Sequence, residues 1–168
     1  MKNQPRCAYC GEVGKSKEHI FPSWLIAATP NYGMKLSRIK GKVGPNENVV
    51  HDVCVTCNNG PLSQLDEYCR NLYDRQLSRI IRDTVKLEYD FTLLTRWLLK
   101  VAFNSARHQK APLASFSDLK PYMLGKEAGP PSNLLFLAEA IKPFEGDWGG
   151  EHVLIEPRDH RSGNMYFR

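Results

Sequence analysis

The chain has 168 residues, 42% of them hydrophobic and 24% charged, with five cysteines and a formal net charge of +5. That length suits one domain or two small ones, and the composition is ordinary for a globular protein. No apolar run approaches the ~20 residues of a membrane span, and the polar start Met1-Lys2-Asn3-Gln4-Pro5-Arg6 lacks the apolar core of a signal peptide. The expectation is a cytoplasmic protein with no membrane partner, whose thiols stay reduced and favour zinc over disulfides. The positive charge is uneven: residues 1–60 carry eight Lys/Arg against four Asp/Glu, and residues 111–168 carry six against eight. A basic N-terminal part fits a polyanionic partner such as nucleic acid; a merely soluble basic surface is the competing reading.

Taken in chain order, residues 1–15 read as a zinc knuckle, Cys7-x-x-Cys10-Gly11, with Gly11 and Gly14 permitting the turn. Ser16 to Pro22 is expected to be extended, and Ser23 to Ala28 to form a short helix capped by Ser23. A turn at Pro30-Asn31-Tyr32-Gly33 leads to a strand from Met34 to Lys42 with a basic face. Gly44-Pro45-Asn46-Glu47 turns the chain into a second strand, Val49 to Val53, which runs into the knuckle Cys54-x-x-Cys57. Pro61 suits a first helical turn, and Leu62, Leu65, Tyr68, Cys69, Leu72, Leu77, Ile80 and Ile81 recur at roughly helical spacing to about Asp83. A second helix is expected from about Phe91 to His108, with Leu94, Trp97, Leu98, Val101, Ala102 and Ser105 as its apolar stripe. Ser117 to Leu124 reads as helical. Leu134 to Ala140, His152 to Glu156 and Asn164 to Phe167 read as strands. Arg168 falls inside or just after the last of these, as in a truncated piece of something longer.

The chemistry concentrates between the knuckles. Two C-x-x-C pairs of equal internal spacing point to one four-thiolate zinc on Cys7, Cys10, Cys54 and Cys57. Such a site is closed to water, so it holds the fold and does not catalyse. Cys69 lies on the apolar face of the first long helix and reads as core. Between the knuckles stands Lys17-Glu18-His19-Ile20-Phe21-Pro22, and directly after the last thiol comes Asn58. A lone histidine is more often structural than catalytic. Asn48 by itself is a turn residue, and Asn58 by itself a helix cap.

Together, Cys7-x-x-Cys10, Glu18-His19-Ile20-Phe21-Pro22, Glu47-Asn48-Val49-Val50 and Cys54-x-x-Cys57-Asn58-Asn59 resemble the zinc-stapled branch of the HNH endonucleases over residues 7 to about 70. The resemblance implies a treble-clef-like ββα-metal module, a β-hairpin followed by a helix that grips one divalent ion. It implies His19 as the general base, Glu18 as an acidic metal ligand, Asn48 as the residue that braces the loop and orients the base, and Asn58 as a metal ligand at the helix start. The family more often has Asp before the histidine and His at the last position. Both departures keep a hard oxygen environment, which suits Mg²⁺ or Mn²⁺ rather than a second zinc. The gap from His19 to Asn48 is long for the motif, so the hairpin is expected to be extended.

Lys15, Lys17, Arg38, Lys40 and Lys42 surround this site in sequence and are candidate backbone contacts to nucleic acid, with a solvated face as the competing reading. Arg75, Arg79 and Arg82 share a helix face that suits either a nucleic-acid strand or surface ion pairs. His51 competes with Asn48 as a polar brace.

The expected fold class is α+β. An HNH module with its structural zinc spans 1–85, and a helical and short-strand accessory portion spans 86–168. The expected function is metal-dependent hydrolysis of phosphodiester bonds in nucleic acid, more readily DNA, with structural Zn²⁺ and catalytic Mg²⁺ or Mn²⁺. A role in phage defence or restriction follows from family habit alone. The alternatives are a zinc-knuckle module that binds nucleic acid without cutting it, and a subunit that meets a second copy or another protein through its C-terminal portion.

Overall fold

The computed structural model describes residues 5–28, 49–78 and 87–130, together with the backbone of 138–140 and 153–155. The expected strand 34–42, the turns at 30–33 and 44–47, and the strand 164–167 lie outside these residues, as do Arg79 and Arg82. The fold is mixed α and β, with a small two-stranded sheet and helices around it. Strand β1 (Ser16–His19) pairs antiparallel with β2 (Val49–Val53), so that Ser16 faces Val53, Glu18 faces Val50 and His19 faces Val49. The register shifts between Ser16 and Glu18. Lys17 therefore stands opposite both His51 and Asp52, as in a β-bulge. The extra residue has a packing consequence. In a regular strand Val50 and Val53 would face opposite sides, but with one extra residue between them both are buried.

Helix α1 (Ser23–Ala28) follows Pro22, whose carbonyl accepts from the N–H groups of Leu25 and Ile26. After β2 the chain makes one helical turn, α2 (Val55–Cys57), and a widened π-type stretch over Asn58–Leu62. Gly60 leaves helical angles there (φ −103°, ψ −109°), and Pro61 restarts the chain into α3 (Ser63–Leu72), which continues as a second π-type turn over Tyr73–Leu77. Helix α4 (Phe91–His108) spans the residues the periodicity predicts. Asp90 caps it, its Oδ1 accepting from Leu93 N at 2.9 Å. A 3₁₀ turn (Ala114–Leu119) and the short α5 (Lys120–Met123) then fold back on α4. Strands β3 (Ala138–Ala140) and β4 (Val153–Ile155) form a separate antiparallel pair. Among the described residues no helix is long and apolar enough to cross a membrane.

One core joins the cysteine region to α4. Cys7, Tyr9, Val50, Val53, Cys54, Cys57 and Leu62 pack with Leu99, Phe103, Leu119, Tyr122 and Met123. The buried face of α4 is not the stripe expected from hydrophobicity. Thr95, Leu99, Lys100, Phe103 and Asn104 are buried; Leu94, Trp97, Leu98, Val101 and Ser105 are half-buried, and Ala102 is exposed. The helix is rotated because its polar residues find partners inside. Thr95 Oγ1 bonds the Tyr122 hydroxyl at 2.7 Å, and Tyr9 donates its hydroxyl to Asn104 Oδ1 at 2.7 Å. Buried polar groups are tolerated when so satisfied, and an apolar count cannot see that.

Candidate metal centre and adjoining cleft

The first knuckle is a tight hairpin. Arg6 bridges to Val13, Cys7 N donates to Glu12 O at 2.8 Å, and Gly11 N donates to Cys7 O at 2.9 Å. Gly11 takes the left-handed backbone (φ +79°) that closes the turn. Gly14 serves a different need: a Cβ there would lie 2.7 Å from Cys54 Cβ, so the absent side chain lets the two knuckles meet. Ala8 N donates to Asp52 O at 2.8 Å, stitching the first knuckle to the strand that carries the second. In the second knuckle the Cys54 sulfur accepts from Cys57 N at 3.4 Å, capping α2.

These turns bring the ligand sulfurs of Cys7, Cys10, Cys54 and Cys57 within 4.8 Å of one another. Cys10 Sγ and Cys54 Sγ are 3.6 Å apart. A tetrahedral zinc with bonds of ~2.3 Å needs sulfur–sulfur edges of ~3.8 Å, so the cluster fits a metal ion such as zinc. All five cysteines are free thiols. Burial pushes the Cys7 thiol up, but backbone N–H groups of Cys10, Cys54 and Tyr9 outweigh it and hold the group at about 7. Burial, with Cys10 and Cys54 adding to it, drives Cys57 strongly up; a bound cation would reverse that. Cys69 stands apart on the buried face of α3, its thiol pushed up to about 12 by burial, as the core reading expects.

Beside the cluster, on the same hairpin, lies a cleft of about 230 Å³ lined by Lys17, Glu18, His19, Trp24, Asn58, Asp66 and neighbouring residues. Three of the four candidate catalytic residues therefore share one cavity wall; the fourth, Asn48, lies outside the described residues. Asn58 is fixed by two bonds from its Nδ2, to Ser16 Oγ at 2.8 Å and to Lys17 O at 2.9 Å. Ser16 Oγ in turn donates to Val53 O at 2.8 Å. This relay locks β1, β2 and the helix start together, and it uses the nitrogen end of the amide, so Oδ1 is the end that suits a cation. His19 is half-buried and also lines a broader groove with Lys17, Ser23, Ile26, Val49 and His51. Lys15, Lys17 and His51 are exposed. Of the other candidate basic contacts, Arg38, Lys40 and Lys42 lie outside the described residues. Arg70 pairs with Asp74 at 3.7 Å, both largely exposed.

Glu18 has a partner the sequence did not announce. The carboxyl is buried, and Lys100 Nζ stands 2.7 Å from its Oε1. Lys100 has no exposed surface and also donates to Asp66 Oδ1 and Oδ2 at 2.7 and 2.6 Å. Trp97 Nε1 adds a bond to Asp66 Oδ1 at 2.9 Å. Burial raises the Glu18 carboxyl above its usual range, opposed by the Lys100 charge. Glu18 and Asn58 both carry oxygen donors, and one Glu18 oxygen already lies against an ammonium. Ser16, Asp66 and Lys100 are site residues that motif reading missed. Asp66 and Lys100 are separated by 34 positions and belong to no spacing pattern, so no local signal marks them. Comparison of the chain with family models, curated proteins and solved structures finds no match.

Proposed function

We propose that the protein is an HNH-type endonuclease that hydrolyses phosphodiester bonds of nucleic acid, with DNA the first candidate substrate. The observation that carries this is the gathering of Glu18, His19 and Asn58 on one cleft wall, directly beside a closed four-cysteine cluster. The order hairpin, knuckle, helix supports the reading of a treble-clef-like ββα-metal module. In this reading His19 takes the proton from the attacking water, the general-base role that an imidazole most often fills. Asn58, held by Ser16 and Lys17, presents an oxygen at the helix start, and Glu18 supplies negative charge at the cleft base. A bound Mg²⁺ or Mn²⁺ supplies charge neutralisation on the phosphate. Lys15 and Lys17 give sequence-independent attraction to the backbone, which weakens with salt. The four thiolates hold zinc structurally, away from the chemistry.

One observation favours the second reading, a zinc-knuckle module that binds nucleic acid without cutting: the Glu18 carboxylate is already paired inside the protein. A cleavage assay separates the two. Plasmid DNA, single-stranded DNA and RNA are incubated with Mg²⁺ or Mn²⁺, with EDTA as control. Metal-dependent cutting supports the nuclease. Retarded but uncut substrate in a gel shift supports the binding module.

A further inference from the structure

Lys100 is fully buried, yet it sits on α4, far along the chain from the hairpin that carries the candidate catalytic residues. Its ammonium touches one oxygen of Glu18 and both oxygens of Asp66 at 2.6–2.7 Å. Both carboxylates line the cleft with His19 and Asn58. An unpaired buried ammonium is costly, and so is the buried Glu18 carboxylate with the half-buried Asp66 carboxylate beside it. The trio resolves both and leaves one net negative charge if every member is ionised. Two carboxylates converging on one centre are also what a hard cation asks for, at oxygen distances of ~2.1 Å for Mg²⁺. An ammonium and a divalent ion cannot occupy that centre together.

We infer that Lys100 is the resident cation of the cleft: it holds Glu18 and Asp66 in place and competes with a divalent ion for the oxygens between them. The protein alone then binds Mg²⁺ or Mn²⁺ weakly, and the negative charge that favours the ion comes with the phosphates of a bound substrate. This last step rests on the nuclease reading; the competition itself does not.

The test is direct Mn²⁺ titration of the full zinc-loaded chain, wild type beside Lys100→Met, by calorimetry and by manganese paramagnetic resonance, with thermal unfolding in the presence and absence of Mn²⁺. Removing a positive charge at contact distance is expected to tighten Mn²⁺ binding on the order of tenfold or more. Mn²⁺ should then raise the unfolding temperature of the variant more than that of wild type. Glu18→Gln added to Lys100→Met should abolish the gain. Equal or weaker Mn²⁺ affinity in Lys100→Met overturns the inference. If the variant folds poorly without metal, recovery on refolding with Mn²⁺ but not with K⁺ supports it, and failure of Mn²⁺ to recover it overturns it. The two readings fail separately. A wild type that cuts nucleic acid while Lys100→Met gains no affinity leaves the nuclease standing, whereas gained affinity in a protein that never cuts leaves the competition standing.

Discussion

The four-cysteine cluster and the cleft hang from the same hairpin, yet they are built on opposite plans. The cluster is made of soft donors delivered by two short turns, each written in a few consecutive residues. The cleft is made of hard donors delivered by β1, by the helix start after Cys57, by α3 and by α4. The cluster closes on itself, with three of its four sulfur-bearing residues buried. The cleft stays open on one side and is underlain on the other by the buried Lys100 and Glu18 with the half-buried Asp66. Both pack against α4, but the cluster draws every donor from the two local turns, whereas the cleft takes its buried cation from a helix in the other half of the chain.

The largest effect is expected at the cluster. Removing the metal with a strong chelator, or replacing one ligand by Cys54→Ser, is expected to cost several kcal/mol and to unfold the hairpin region, because metal binding to such a site is folding free energy. Circular dichroism and zinc stoichiometry check this; an unchanged unfolding midpoint after zinc loss would show that the cluster is not structural. Next comes Gly14→Ala, which drives a methyl group to 2.7 Å from Cys54 Cβ. A cost of about 1–3 kcal/mol is expected, read from urea unfolding, with weaker zinc retention under competition by a chelator.

On the cleft side, Asn58→Ala removes two hydrogen bonds that pin β1 to the helix start. It should cost about 1–3 kcal/mol and lose cleavage as well, whereas Gly14→Ala should keep the cleavage of its folded fraction. The smallest effect is expected from Tyr9→Phe, which deletes the 2.7 Å bond to Asn104 while keeping the ring against Phe103. About 1 kcal/mol of stability is expected to go, with zinc content unchanged.

What could be read in the sequence follows the same division. The knuckles, the second strand and the helix from Phe91 to His108 were legible because each is encoded locally: by paired cysteines, by a short valine-rich stretch between a turn and Cys54, and by helical spacing. Helix α3 was legible in kind, but Gly60 and the π-type stretches around it were not, because periodicity does not report a change of pitch. The buried face of α4 was misread. Thr95, Lys100 and Asn104 look like surface residues until Tyr122, Glu18 and Tyr9 are brought to them. For the same reason Glu18 was read as a ligand only, and its partnership with Lys100 and Asp66 stayed hidden. The bulge opposite Lys17 was equally invisible, although Val50 and Val53, both apolar and three apart, are its one sequence trace.

The most direct test of the account compares wild type and His19→Ala in one experiment, measuring zinc stoichiometry and Mg²⁺- or Mn²⁺-dependent cleavage on the same preparations. One zinc per chain and the same unfolding midpoint are expected in both, with cleavage by the variant lower by about 10²–10⁴-fold. A His19→Ala protein that cuts as fast as wild type, or that loses its zinc along with its activity, would contradict the separation of structural cluster from catalytic cleft.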